Sequence, residues 1–180
     1  MRADGIKAQE ISHILAGLLT RNRIACEVSL ATGLRINDVL RLKPEIIKPG
    51  GGVVTVTESK TGKRRRVYIS AELMDKLAKI SGRFWIFEGR LNPRKHRTRQ
   101  AVYKDLRLVA QALRCPAHIS PHSCRKAYAI REYHRTGSIK RVQELLQHES
   151  EAVTLIYAMA DELTKDRLRR KKTPRKHKVS

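Results

Sequence analysis

The feature that most constrains this fold is a single change of hydrophobic periodicity, between about residues 45 and 69, in a chain that otherwise follows a helical pattern. On either side of this stretch, apolar residues recur every three or four positions, as in amphipathic helices. Within it the segments EIIK, VVTVTE and RRVYIS are short and β-branched, and the turn sequences PGGG and SKTGK separate them. The pattern therefore predicts an α+β fold, mainly helical, with one small three-stranded antiparallel sheet.

Capping residues mark the ends of the predicted helices. A helix over RIACEVSLAT stops at Gly33, which suits a left-handed C-cap, and the short helix INDVLRL is closed by Pro44. Ser70 is an N-cap for the helix that follows the sheet. A further helix begins after Pro121 and ends at Gly137, and IKRVQELLQH forms the next one.

Charge and composition limit the partners of this chain. Its 39 Lys and Arg outweigh 17 Asp and Glu, for a net charge of +22, so a polyanion is required. We favour nucleic acid, and an anionic membrane surface is the alternative. No apolar stretch is long enough to span a bilayer, and the start MRADGIKAQE is not a signal peptide. Three scattered cysteines without metal-ligand spacing indicate reduced thiols in a cytosolic protein, with no metal and no cofactor.

No linker divides residues 1–164, which we predict to be one domain. Residues 165–180 carry nine Lys or Arg and one acid, so they form a basic tail that is partly disordered. This tail is expected to contact phosphates by counterion release rather than to read sequence.

Four separate segments each present a residue suited to binding a phosphate or moving a proton. They contain Arg35 and Asp38 in TGLRINDVL, Lys60 in ESKTGK, His122 and Arg125 in PHSCR, and His148 and Tyr157 in LLQHESEAVTLIY. Three positions separate His122 from Arg125, which puts both on one helix face. Asp38 is close enough in sequence to brace Arg35.

Together these residue types are sufficient for metal-free phosphoryl transfer. Two guanidinium groups clamp the nonbridging oxygens of a phosphodiester as negative charge develops there. A histidine accepts the proton of the nucleophile, and a lysine protonates the leaving 5′ oxygen. A phenol attacks once a cationic pocket favours its phenolate, and the resulting ester conserves the bond energy. Neither a phosphate-binding loop nor a carboxylate cluster for magnesium is needed.

The segments TGLRINDVL, SKTGK, HSCR and LLQH…Y resemble, in order and spacing, the signature of the tyrosine recombinase (phage integrase) family over about residues 8–160. The resemblance implies site-specific recombination through a 3′-phosphotyrosine and a Holliday junction. It implies that Arg35 and Arg125 bind the scissile phosphate, Lys60 is general acid, His122 is general base, His148 donates to the phosphate, Tyr157 is the nucleophile, and Asp38 supports Arg35.

The same resemblance implies double-stranded DNA as substrate, a tetramer assembled on it, and accessory DNA-bending proteins as partners. It implies a nucleoid location in the cytoplasm of a bacterium, or origin in a phage or other mobile element. The chain departs from the family pattern at Cys124, Lys126 and Gln147 and lacks the usual N-terminal DNA-binding domain, which suggests a minimal member or a fragment.

Basic residues around the sheet turn and the loop NPRKHRTR are the predicted DNA contacts. They are Lys63, Arg64, Arg94, Lys95, Arg97, Arg99, Gln100 and Lys104. Arg and Gln side chains read base edges in the major groove, although contact with phosphates alone is the simpler alternative. Lys63 also competes with Lys60 for the general-acid role.

Two other functions fit the same residues. A type IB topoisomerase shares the chemistry, but the pairing of His122 with His148 favours a recombinase. A non-catalytic DNA-binding regulator is disfavoured because all six of the predicted catalytic residues are present. The remaining tyrosines are interpreted as packing residues: Tyr68, Tyr103, Tyr128 and Tyr133.

Overall fold

The computed structural model describes residues 8–115 and 119–146. Its elements, in chain order, are α1 (Ala8–Gly17), α2 (Thr20–Thr32), α3 (Ile36–Leu40), a 3₁₀ helix (Pro44–Ile46), β1 (Gly52–Thr57), β2 (Arg64–Ile69), α4 (Ala71–Ile80), α5 (Arg99–Ala112), α6 (Pro121–Thr136) and α7 (Ile139–Leu146). The fold is α+β and mainly helical, as predicted. None of the described helices has the length and apolarity to cross a membrane.

The sheet has two antiparallel strands in the described residues, so the expectation of a third was wrong. The segment EIIK lies instead at the 3₁₀ helix, where the amide of Ile47 bonds to the carbonyl of Pro44 at 3.0 Å. Proline has no amide proton to give to a strand ladder, and its fixed φ suits the first turn of a helix. The β-branched residues here are therefore overruled by the proline before them.

The two strands alternate between a buried and an exposed face. Val54 lies opposite Val67 in the register, and both are buried against the helices. Because side chains on a strand alternate in direction, Tyr68 faces outward and is 64% exposed. The interpretation of Tyr68 as a packing residue was therefore wrong.

The predicted caps are confirmed. α2 ends at Gly33, which has φ 68° and donates its amide to the carbonyl of Ser29. The Ser70 hydroxyl accepts from the amide of Leu73 at the start of α4. α6 begins with Pro121 in its first turn and ends at Gly137, which has φ 64°.

Helix α2 is the centre of the fold. It packs against α1, α3, α4, α6 and β2, and it buries both apolar residues such as Val28 and small or polar ones such as Ser29. A helix enclosed on most sides cannot show a strong amphipathic pattern, which is why its burial exceeds what its sequence suggests. Its C-terminal end, at Gly33, is where α3, β2 and α6 converge.

Candidate active site

A cavity of about 440 Å³ opens between α3, α5 and the start of α6. Its lining residues are Arg35, Ile36, Asn37, Arg99, Gln100, Tyr103, Ser120, Pro121, His122 and Arg125. Three of the predicted catalytic residues therefore meet in one cavity, together with two predicted DNA contacts. Residues far apart in sequence are brought together here by the packing of α6 on α2.

The first turn of α6 presents His122 to the cavity. Ser120 and Ser123 form a reciprocal capping box, in which the Ser123 hydroxyl accepts from the amide of Ser120 at 3.1 Å. The helix start is thereby fixed, and His122 is exposed one position after Pro121. The positive end of the helix dipole also faces this cavity and favours an anion there.

Arg125 lies one turn further along α6 and is fully buried. One of its terminal nitrogens donates to the carbonyl of Gly33, and the other donates to the carbonyl of Leu146 at 2.8 Å. Both carbonyls are at the C-terminal ends of helices, where unsatisfied oxygens and the helix dipole favour a cation. Arg125 therefore joins the ends of α2 and α7 while its side chain also lines the cavity.

Arg35 is the residue that precedes α3, with an extended backbone, and its side chain is 17% exposed. Its guanidinium donates to Glu58 Oε2 at 2.7 Å, and Glu58 is fully buried at the end of β1. Glu58 was not among the residues predicted for the site. In the sequence, Glu58 appears only as an acid two residues before Lys60. Its role as partner of Arg35 becomes visible only when the end of β1 is placed beside α3.

Asp38 does not brace Arg35, so that prediction was wrong. Its Oδ1 atom accepts from the amide of Ser59 at 2.8 Å and from the hydroxyl of the same residue at 2.7 Å. α3 turns Asp38 towards the hairpin, whereas Arg35 precedes the helix and extends to Glu58. Asp38 therefore fixes the turn that carries Lys60.

Lys60 is exposed at the tip of the β1–β2 turn, directly after Ser59. At the base of the turn, the amide of Glu58 bonds to the carbonyl of Lys63 at 3.0 Å. Lys63 is therefore tied into the ladder through its backbone, while Lys60 is presented at the tip. Lys60 is not among the residues that line the cavity, so its predicted role as general acid stays a prediction.

Arg65 is a second buried arginine that the sequence analysis did not assign to the site. Its guanidinium bonds to the carbonyls of Thr32 at 2.6 Å and Gly33 at 3.3 Å, and lies 3.6 Å from Glu58 Oε1. Burial lowers the pKa of Arg65, although the nearby Tyr128 and Glu58 oppose that shift. Burial raises the pKa of Tyr128, and the nearby charge of Arg65 opposes that shift.

The predicted DNA contacts separate into three groups. Arg99 and Gln100 line the cavity at the start of α5, and Tyr103, one turn later, lines it too. Tyr103 was interpreted as a packing residue, and that interpretation missed its place in the cavity. Arg97 instead donates to the side chain of Asn22, and burial lowers its pKa. The other predicted contacts are exposed: Lys63, Arg64, Arg94, Lys95 and Lys104.

Two predicted catalytic residues, His148 and Tyr157, lie outside the described residues, as does the basic tail 165–180. The described chain ends at Leu146, the residue whose carbonyl Arg125 binds. In the described ranges, no group of three or more His, Cys, Asp or Glu residues is arranged to hold a metal ion.

Known proteins resemble this chain over most of its length. The probable integrase/recombinase YoeC of Bacillus subtilis strain 168 is 28% identical over 162 residues, which are 88% of each chain. The tyrosine recombinase XerD of Ralstonia nicotianae is 31% identical over 168 residues, 86% of this chain and 52% of the relative. The chain thus spans about half the length of that relative.

Solved structures share the fold. The catalytic domain of bacteriophage HP1 integrase superposes with a TM-score of 0.63 at 21% identity, over 87% of this chain and 88% of that one. A lambda integrase (75–356) dimer bound to a COC′ core site superposes with a TM-score of 0.69 at 24% identity, over 86% of this chain and 59% of that one. The model of the Phage integrase family matches residues 5–163. The chain belongs to the phage integrase family.

Proposed function

We propose that this protein is a tyrosine site-specific recombinase that cleaves and rejoins DNA strands through a 3′-phosphotyrosine at Tyr157. The observation that carries the proposal is the meeting of Arg35, His122 and Arg125 in one cavity. Relatives of 28% and 31% identity bear the names integrase and tyrosine recombinase, which supports the same activity.

In this proposal the two arginines stabilise the charge that develops on the nonbridging oxygens of the scissile phosphate. Each is anchored from behind, Arg35 by Glu58 and Arg125 by two backbone carbonyls. Donors that are fixed before the substrate binds stabilise a transition state without having to reorganise. The cavity of about 440 Å³ has room for a phosphodiester between them.

The chemical step forms a bond between the Tyr157 oxygen and phosphorus and breaks the bond from phosphorus to the 5′ oxygen. His122, exposed at the cavity wall, accepts the phenol proton, and Lys60 protonates the departing 5′ oxygen. His148 donates a hydrogen bond to the phosphate. The 5′-hydroxyl of a partner strand then reverses the reaction, so no external energy source is required.

DNA affinity arises from the exposed cations around the cavity and from the charge of +22. Arg94, Lys95, Arg99 and Lys104 contact phosphates, Gln100 contacts a base edge, and the tail 165–180 adds further phosphate contacts. Four copies assemble on two DNA sites, as in a lambda integrase tetramer bound to a Holliday junction. The DNA is bacterial or phage in origin, and DNA-bending proteins assist the assembly.

The decisive experiment uses a nicked suicide DNA that carries the end sequence of the host element. Wild-type protein should form an adduct that survives denaturation, and Tyr157→Phe should not. Tyr133→Phe, which alters a half-buried tyrosine on α6, is the matched control and should retain the adduct. An adduct that persists in Tyr157→Phe would move the nucleophile elsewhere, and no wild-type adduct would favour the DNA-binding regulator. Relaxation of plasmids without any defined site would favour the topoisomerase.

A further inference from the structure

Glu58 is a buried carboxylate whose contacts reach the arginine at the cavity wall. Its Oε2 atom accepts from Arg35 at 2.7 Å and from the Thr61 hydroxyl at 3.2 Å. Its Oε1 atom accepts no hydrogen bond in the described part of the chain and lies 3.6 Å from Arg65. A fully buried carboxylate is retained only where cations compensate its loss of water, and here two guanidinium groups flank it.

Arg65 extends this contact to the second arginine of the cavity. Its guanidinium donates to the carbonyl oxygen of Gly33, and the same oxygen accepts from Arg125. A continuous chain of polar contacts therefore runs from Arg35 through Glu58, Arg65 and the Gly33 carbonyl to Arg125. We call Glu58, Arg65 and the Gly33 carbonyl the buried relay.

We propose that the buried relay sets the position of Arg35 relative to Arg125, with Glu58 as a positioning residue that does not touch the substrate. This inference rests on the proposed function for its effect on catalysis. A guanidinium has a planar set of donors, so a carboxylate on one edge fixes the direction of the remaining donors. An arginine without that partner samples several rotamers and meets the phosphate in the productive pose less often.

The test compares Glu58→Gln, which keeps the shape and removes the charge, with Glu132→Gln. Glu132 is also buried and binds Arg135 through Oε2 at 2.7 Å, away from the cavity. With saturating suicide DNA, Glu58→Gln should slow adduct formation about 100-fold, as a misplacement of about 1 Å does. Its DNA affinity should change by less than about threefold, because exposed cations supply that affinity. Glu132→Gln should retain the wild-type rate.

A double-mutant cycle separates positioning from a general loss of stability. In an Arg35→Ala background, Glu58→Gln should slow the reaction no further, because the residue that it positions is already absent. Slowing by the same factor in both backgrounds would overturn the proposal. If Glu58→Gln does not fold, Thr61→Val removes the hydroxyl that donates to Oε2 and accepts from the amide of Lys63, and it should give a smaller loss in the same direction. A wild-type rate in folded Thr61→Val would then count against the relay.

A measurement on the free protein keeps this inference distinct from the proposed function. The Nη1–H resonance of Arg35 in NMR should be protected from solvent exchange in wild type and exchange about tenfold faster or more in Glu58→Gln, as the weaker hydrogen bond of this nitrogen to an uncharged acceptor predicts. An unchanged Arg35 resonance in Glu58→Gln would overturn the positioning role even if the enzyme is active. Absence of any adduct with wild type would overturn the proposed function, while the NMR result would still decide the role of Glu58.

Discussion

The guanidinium of Arg125 donates to the carbonyl oxygen of Gly33, the residue that ends α2 in a left-handed conformation. The same oxygen accepts from Arg65. The backbone of one glycine therefore orients two arginines. An added side chain at this glycine would overlap the ring of Tyr128. Both the conformation and the space at this position require glycine.

Gly33→Ala should therefore be much more destabilising than Gly137→Ala. Both glycines end a helix with similar positive φ, 68° and 64°, but among the described residues only Gly33 has a neighbour within 4 Å of the added carbon. Backbone strain should cost each variant about 1–2 kcal/mol. Overpacking against Tyr128 should add about 1–3 kcal/mol for Gly33→Ala alone. Urea denaturation measures both values, and equal losses would contradict the account.

Arg125→Lys should lose strand cleavage and keep most DNA binding. A lysine retains the positive charge but cannot reach the carbonyls of Gly33 and Leu146 with the planar geometry of a guanidinium. Arg125→Ala should in addition lose about 2 kcal/mol or more of unfolding free energy, because the Leu146 carbonyl loses the Arg125 donor and the Gly33 carbonyl keeps only the longer bond from Arg65. Filter binding and adduct formation are measured together. A parallel loss of both in Arg125→Lys would show that this residue supplies affinity rather than chemistry.

Arg97 and Arg99 should respond differently to removal although only Thr98 separates them. Arg99→Ala should reduce the slope of log affinity against log salt by about 1, as the loss of one phosphate contact predicts. Arg97→Ala should leave that slope unchanged and lower the unfolding free energy by about 1–3 kcal/mol, because Asn22 loses its buried donor. A salt titration of DNA binding and a thermal melt of both variants distinguish the two outcomes.

Asp38→Ala should impair leaving-group protonation, since it removes both bonds that hold Ser59 beside Lys60. We expect Lys60→Ala to slow cleavage about 10²–10⁴-fold, the usual contribution of a general acid. The Asp38→Ala variant should cleave DNA more slowly than wild type but faster than Lys60→Ala. Replacing the 5′ bridging oxygen with sulfur should restore both variants, because a thiolate leaves without a proton. Asp105→Ala, whose carboxylate binds Leu19 and Asn22, is the control that sulfur should not affect.

The unfolding free energy should depend on pH through the buried thiol of Cys26. A hydrogen bond with Cys124, together with burial, raises the pKa of Cys26. The unfolded thiol ionises near pH 8.5 and the folded one at higher pH, so this stabilisation is complete below about pH 8.5 and is lost as pH rises. Unfolding free energy should therefore fall as pH rises above about 8.5, more steeply in wild type than in Cys26→Ala. Alkylation of the native protein should modify Cys115 first, because the other two cysteines are buried.

Local signals in the sequence were sufficient for the helix ends and the fold class. Gly33, Ser70 and Pro121 act through their own backbone or side chain, so their roles follow from position alone. The third strand was not predictable from β-branched residues, because Pro44 overrides them. Tyr68 was misassigned for a similar reason. A tyrosine is suited to a protein core, but side chains alternate along β2 and the position of Tyr68 faces solvent.

The candidate site was predictable where one motif supplies the residue and less so where two elements meet. The pairing of His122 with Arg125 follows from helical spacing. The partner of Arg35 does not, since Glu58 directly follows β1 and lies beside Arg35 only once the hairpin is folded against α3. Proximity in sequence favoured Asp38, but its helix directs it to Ser59. Contacts between distant elements need the tertiary arrangement before any acid can be chosen.

The bond from Arg125 to the Leu146 carbonyl anchors the last described residue before the sequence segment that contains Tyr157. Between Arg125 and Leu146 lie the rest of α6, the bend at Gly137 and Ser138, and α7. An insertion or deletion in that bend would shift α7 and therefore move the Leu146 carbonyl relative to Arg125. Natural variation in this region should therefore preserve loop length more strictly than residue identity.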